Sequence, residues 1–170
     1  MSKFSEMYII ANDASVEEFE EWLKKNDVNQ VDEHGESMLH LLTIFEHGTV
    51  EHQKTTDEKI RLLIEVGADV NAKDAKGCTA IYCSTIAFRS HYVELLLRAG
   101  ADPYIKNNKG SSALSVLEVI YDNFTGENAE NIRKTYDPVY TLMKPFIEKQ
   151  RLEASIAAKE EVVKKKKVKL

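Results

Sequence analysis

The stretch L-L-I-E-V-G-A-D-V-N (62–71) returns as L-L-L-R-A-G-A-D-P-Y (95–104). Gly67 and Gly100 stand 33 residues apart, and so do Gly77 and Gly110, each of which opens the following unit. A fixed internal period is the mark of a repeat architecture, in which a small unit buries its apolar face only against its neighbours. In each copy a glycine stands four residues after a leucine pair, as at the end of a helix where the chain must turn with positive φ. Asn26, after Trp22-Leu23, holds the matching place in an N-terminal half-unit and predicts the same left-handed turn.

Working outward, each glycine-opened segment has the same wording. Asp32-Glu33-His34-Gly35-Glu36-Ser37-Met38-Leu39-His40 is answered by Asp74-Ala75-Lys76-Gly77-Cys78-Thr79-Ala80-Ile81-Tyr82. A weaker third copy is Asn107-Asn108-Lys109-Gly110-Ser111-Ser112-Ala113-Leu114-Ser115. Ser37, Thr79 and Ser112 stand where a helix begins, and a hydroxyl there can accept an orphan backbone N–H. Asn29, Asn71 and Tyr104 each fall six residues before the unit glycine, which predicts loops of one length.

With these motifs the chain resembles the ankyrin repeat family from about residue 7 to 150, most closely from 32 to 115. The resemblance implies an all-α ankyrin repeat solenoid of helix-turn-helix units joined by hairpin-like finger loops. Residues 1–31 then form an N-terminal helical half-repeat or cap, with helices at about 5–11 and 15–25. Residues 32–73 are a repeat with an insertion at about 46–56, and 74–106 a second repeat. Residues 107–150 are a C-terminal repeat with an insertion at about 122–137, and 151–170 a basic helical tail.

In the first repeat the helices are expected at 37–45 and 57–66. In the last they are expected at 112–121 and again from Pro138, taken as a first-turn proline. The final helix is read as firm to about 150 and fraying beyond. The family's proline is replaced by Met38, Ala80 and Ala113, and its histidine survives only as His40. In the family that histidine ties neighbouring loops together, so units with Tyr82 and Ser115 in its place are expected to be less rigid.

Composition limits the functions. At 170 residues and 43% apolar content the chain can bury one continuous core. Its apolar groups are far shorter than the ~18–20 residues a membrane span needs. No export signal is legible, and the two cysteines make no framework. Cys83 is expected in the core and Cys78 at a loop edge, unbridged, and the chain is expected to be cytoplasmic.

Residues 1–150 carry a net charge of −9 and residues 151–170 carry +4. An acidic body repels phosphates, so no nucleic-acid partner is expected. The run Lys164–Lys167 with Lys169 reads either as an import or phosphate-touching signal or as cations that complement a helix C-terminus.

Chemistry-bearing motifs do not stand out. The sequence holds no Gly-rich phosphate loop, G-x-S-x-G elbow, H-E-x-x-H or C-x-x-C. His47, His52 and His91 lack metal-ligand spacing and read as exposed loop histidines. No enzyme activity, cofactor or metal is therefore expected.

The resemblance implies contacts through the finger tips and the exposed face of each first helix. In this sequence those positions are Glu33, His34, Glu36, Ile44 and Phe45, then Ala75, Lys76, Cys78, Ile86 and Ala87. In the last unit they are Asn108, Lys109, Ser111, Val119 and Ile120. The apolar members, with Phe45 as anchor, form either an open docking stripe or a strip covered by the two insertions. The expected function is protein–protein binding by a monomer through the concave face and fingers. The alternative is a dedicated inhibitor, such as an immunity protein or antitoxin, of a basic enzyme such as a nuclease.

Overall fold

Hydroxyl side chains start four of the described helices. In the computed structural model, Ser15 accepts the N–H of Glu18 at 3.2 Å and returns its own N–H to that carboxylate at 2.8 Å. Thr49 and Thr79 accept the N–H of His52 and Tyr82, and Ser112 and Ser115 exchange reciprocal bonds. Each such cap satisfies a donor the helix itself cannot, worth about 0.5–2 kcal/mol. The structure describes residues 3–44, 49–123 and 129–167, though not the side chains at 3–5, 121–123, 129, 132 and 161–167.

Among the described residues the fold is all-α. The helices are α1 (Lys3–Asn12), α2 (Val16–Leu23), α3 (Met38–Ile44), α4 (Val50–Glu65), α5 (Ala80–Ile86), α6 (Ser90–Arg98), α7 (Ala113–Asn123) and α8 (Ala129–Lys167). They contact one another in two series. In one, α1 packs on α3, α3 on α5 and α5 on α7; in the other, α2 packs on α4 and α6 on α8. Partners within a pair also touch, as in α3 with α4 and α5 with α6. None of these helices is long and apolar enough to cross a membrane.

The core repeats in register. Leu39, Ile81 and Leu114, each four residues after a unit glycine, are almost wholly buried. Ile60 and Val93, and Leu63 and Leu96, are the matching pairs on α4 and α6. Each such side chain contributes about 1.5–3 kcal/mol of transfer free energy. Met38, Ala80 and Ala113, which replace the expected proline, are buried as well. Gly67 and Gly100 do take the left-handed turn, at φ +92 and +88.

Three expectations about the connections change. The stretch from residue 50 to 56 is helix, so α4 begins about two turns before Asp57. Thr49 caps it, and of the added residues Thr56 is buried against the rest of the fold. Pro138 does not open a helix: α8 starts at Ala129 and runs through Pro138 and Pro145. Both prolines face solvent, where water can take the carbonyls they leave unbonded. Asp122 and Asn123 belong to α7, and residues 124–128 lie outside the described residues.

Asn26 is not left-handed either, since Phe88 alone among the described non-glycine residues has positive φ. Instead the Asn26 side-chain amide donates to the Trp22 carbonyl at 2.9 Å and ends α2 from outside the backbone. Beyond residue 150 the last helix continues to Lys167, with 151–160 exposed throughout.

Candidate functional site

Between the helix pairs run three finger loops, at 27–36, 69–78 and 102–111, built from one set of bonds. Asp27, Asp69 and Asp102 each accept the N–H two residues on. Asp32 Oδ1 accepts from His34 and Glu36, Asp74 Oδ1 from Lys76 and Cys78, and Asn107 Oδ1 from Lys109 and Ser111. A side-chain oxygen that takes two local N–H groups fixes a turn that helix or sheet would otherwise have to satisfy.

The fingers are then joined to one another. The Ala75 N–H donates to the His34 carbonyl and the Asn108 N–H to that of Lys76, each at 3.0 Å. Asn29 and Asn71 accept the Asp69 and Asp102 N–H groups at 2.8 Å. Beneath them, His40 Nδ1 accepts from Ser37, which leaves the proton on Nε2 to donate to the Cys78 carbonyl at 3.0 Å. The Ser37 hydroxyl therefore serves His40 and does not cap a backbone N–H.

Against this framework lies a groove of about 380 Å³. Its floor is Ile44, Tyr82, Cys83, Ile86 and Ala87. Its rim is Glu36, Asp74, Lys76, Cys78, Asn107 and Lys109. Seven expected site residues meet here: Glu36, Ile44, Lys76, Cys78, Ile86, Ala87 and Lys109. Glu33, His34, Ala75 and Asn108 are exposed on the fingers outside it, and Ser111 is half-buried.

Val119 is exposed, but Ile120 is turned into the core at 9% exposure, because it falls three residues after Leu117 on the same face of α7. Phe45, the expected anchor, lies outside the described residues, as does His47.

Cys78 stands at the end of its finger loop, as expected, but is buried there, and the Asn107 side-chain amide donates to its sulfur at 3.6 Å. Cys83, expected in the core, is only half-buried, and both cysteines line the groove. In the first unit the place of Cys83 is taken by Leu41, so the shorter thiol leaves the wall open. Burial pushes the Cys83 thiol up to about 12, helped by Cys78, Asp74 and Glu36. Burial also raises Cys78 and Tyr82. Thiols so protonated are weak nucleophiles and behave as small apolar groups.

Tyr82, Cys83, Asp74 and Asn107 were not among the expected site residues. The repeat alignment held the signal for Tyr82, which stands where the preceding unit has His40.

Elsewhere, polar side chains serve the framework. The Lys59 side chain is 1% exposed; its ammonium donates to the Ile10 and Ala11 carbonyls at 3.1 and 3.0 Å and lies 5.6 Å from the centre of the Phe19 ring. It thereby closes the C-terminal end of α1, where a cation is favoured. Desolvation lowers its pKa, against the opposing pull of Asp13 and Glu18.

His91 is not simply exposed: its Nε2 lies 2.8 Å from both carboxylate oxygens of Asp57. Glu6, Glu17, Glu18 and Glu21 surround a second hollow beside Trp22. Among the described residues no group of three or more His, Cys, Asp or Glu could hold a metal ion. The chain matches no family model and no curated protein.

Proposed function

We propose that the chain is a small ankyrin repeat protein, an all-α solenoid that binds a protein partner through its concave face and fingers and performs no catalysis. The observation that carries this reading is the groove under the fingers. Its floor is apolar and open, with Ile86 44% exposed, while the finger backbones above it are hydrogen-bonded from unit to unit. Rigid donors around an apolar patch lower the ordering cost of association. The protonated thiols at its wall favour contact over chemistry. The identical bond pattern of the three fingers supports the family reading independently of sequence matching.

The test is affinity capture by the wild-type chain, by Ile86→Glu in the groove floor, and by Val66→Glu at the end of α4. A partner held by wild type and Val66→Glu but released by Ile86→Glu is the expected result. A partner retained by folded Ile86→Glu refutes the groove as the binding site.

A second reading, inhibition of a basic enzyme, is favoured by the acidic hollow at the N-terminal cap. It requires affinity that falls steeply between low and physiological salt, where the screening length shrinks to about 8 Å. Binding on the groove floor requires no such fall.

A further inference from the structure

The groove rim carries four charged side chains: Glu36, Asp74, Lys76 and Lys109. Some charges elsewhere on the helices are matched within the chain: Lys24 to Glu21 and Arg98 to Glu94 at 2.6 Å, and Arg151 to Glu118 at 3.2 Å. Among the described residues, no ion pair or side-chain hydrogen bond engages the carboxylate of Glu36 or the ammonium groups of Lys76 and Lys109. Asp74, the remaining charge on the rim, has its Oδ1 tied to the N–H groups of its own finger.

The unmatched charges are also sorted. Glu36 stands on the first finger, beside exposed Glu33, Asp74 and Lys76 share the second, and Lys109 stands on the third. The rim thus runs from acidic at the first finger, through the balanced Asp74 and Lys76 beside the apolar floor of Ile44, Cys83 and Ile86, to basic at the third. Packed helices sit about 8–10 Å apart, so the first finger lies roughly 16–20 Å from the third. At about 3.3 Å per residue, five or six extended residues span that distance. The volume is at the low end of the range for small-ligand sites, about 300–1,000 Å³, and admits one large side chain with its flanks.

We infer that the groove takes an extended peptide segment of a partner with a basic residue over Glu36, an aliphatic or aromatic residue on the Ile86 floor, and an acidic residue within about five or six positions, between Lys76 and Lys109. This rests on the binding reading above and adds its charge order. Opposite charges fix the direction of the segment, because a reversed one would set acid on Glu36 and base on the lysines. The sorting also distinguishes this ligand from a uniformly basic surface, which the lysines would repel.

The experiment is selection of a random octapeptide display library on the 170-residue protein. Selected peptides are then titrated by fluorescence polarisation against wild type, Ile86→Glu and the pair Lys76→Glu, Lys109→Glu. Both lysines are exposed, so the pair should fold, as circular dichroism checks, and Lys76→Gln, Lys109→Gln is the milder alternative.

The expected result is a shared base–apolar–acid order, with affinity lost in Ile86→Glu and reduced about tenfold by the lysine reversal. A synthetic peptide with its acid changed to lysine should prefer the reversed variant. Peptides that depend on Ile86 but ignore the lysine reversal overturn the charge order and leave the binding reading standing. If no peptide is enriched, or the peptides bind Ile86→Glu as well as wild type, the inference falls. A lysate partner that still depends on Ile86 would then preserve the reading with a folded partner in place of the peptide.

Discussion

Replacing Gly77 by alanine tests whether adjacent fingers are packed as rigid bodies, with Gly100→Ala as the control. Both glycines are left-handed, at φ +76 and +88, so each alanine pays about 1–2 kcal/mol for the backbone conformation. At Gly100 nothing lies within 4 Å of the added Cβ, and that term is the whole effect. At Gly77 the Cβ would stand 2.5 Å from Asn108 Oδ1 and 2.9 Å from the Asn108 backbone nitrogen.

The side-chain oxygen can rotate away, but the nitrogen is held by its bond to the Lys76 carbonyl, and the Asn108 amide is held by Ala75. Relief therefore moves the third finger off the second and strains or breaks both bonds. The extra loss should be about 1–3 kcal/mol. Urea unfolding followed by circular dichroism reads both variants. We expect Gly77→Ala to lower the midpoint about twice as far as Gly100→Ala. It should also reduce the slope or split the transition, as when one repeat uncouples from its neighbours. Equal midpoint shifts at equal slope would refute the close approach of the second and third fingers as an energetic contact.

Three other outcomes follow from the buried polar groups. Folding lowers the Lys59 pKa, so between that lowered value and 10.5 the unfolded chain holds more proton, and raising the pH favours the folded state. Lys59→Met lacks this gain; the wild-type advantage over it should grow from neutrality toward pH 10.5 in urea titrations, and a flat difference contradicts the buried ammonium. In the wild-type chain, with Cys83 followed separately by peptide mass mapping, its thiol at about 12 against an ordinary 9.0 should hold on the order of 1,000-fold less thiolate at pH 8. Its alkylation by iodoacetamide should be slower than in the urea-unfolded chain by a comparable factor, and rates within tenfold would show an ordinary thiol. His40→Ala orphans the Cys78 carbonyl and the Ser37 N–H and should destabilise by about 2–4 kcal/mol. A loss under about 1 kcal/mol would remove His40 from the framework.

The parts legible in the sequence are those governed by local rules. Gly67 and Gly100 mark helix ends because few other residues adopt positive φ, and Thr79 and Ser112 cap because their hydroxyls reach a nearby N–H. The early start of α4 was hidden by its composition. His47–Lys54 is polar and contains Gly48, which resembles a turn, and the burial of Thr56 and Lys59 further along α4 depends on distant partners, as in the bonds of Lys59 to carbonyls about 48 residues away. Likewise Pro138 obeys the first-turn rule locally but sits mid-helix, since its solvent-facing side tolerates the missing bond. In the groove, repeat counting found the finger and helix positions. It placed Ile120 outward and Cys83 in the core because it counts positions along the repeat and not what each helix face packs against.

The departures of this chain from its own repeat also bear on how the groove can work. Between the first two units one of the ties, His40 to the Cys78 carbonyl, is buried. At the next junction Tyr82 replaces the histidine, and the ties move outward. The Asn107 amide donates to the Cys78 sulfur, the Asn108 amide to Ala75 and the Lys73 ammonium to the Lys106 carbonyl, the last two at exposed positions. Bonds reached by water hold less tightly than buried ones of the same length. The second junction is thus tied by more bonds at more exposed positions, and it is the one whose fingers carry Lys76 and Lys109. Tyr82 supplies groove wall in the place where the preceding unit has a structural strap. Sequences that specify a fold break local rules mainly where something other than stability is selected. Here the break, the half-buried Cys83 and the charged rim meet in one groove, which is the arrangement expected if that groove binds a ligand.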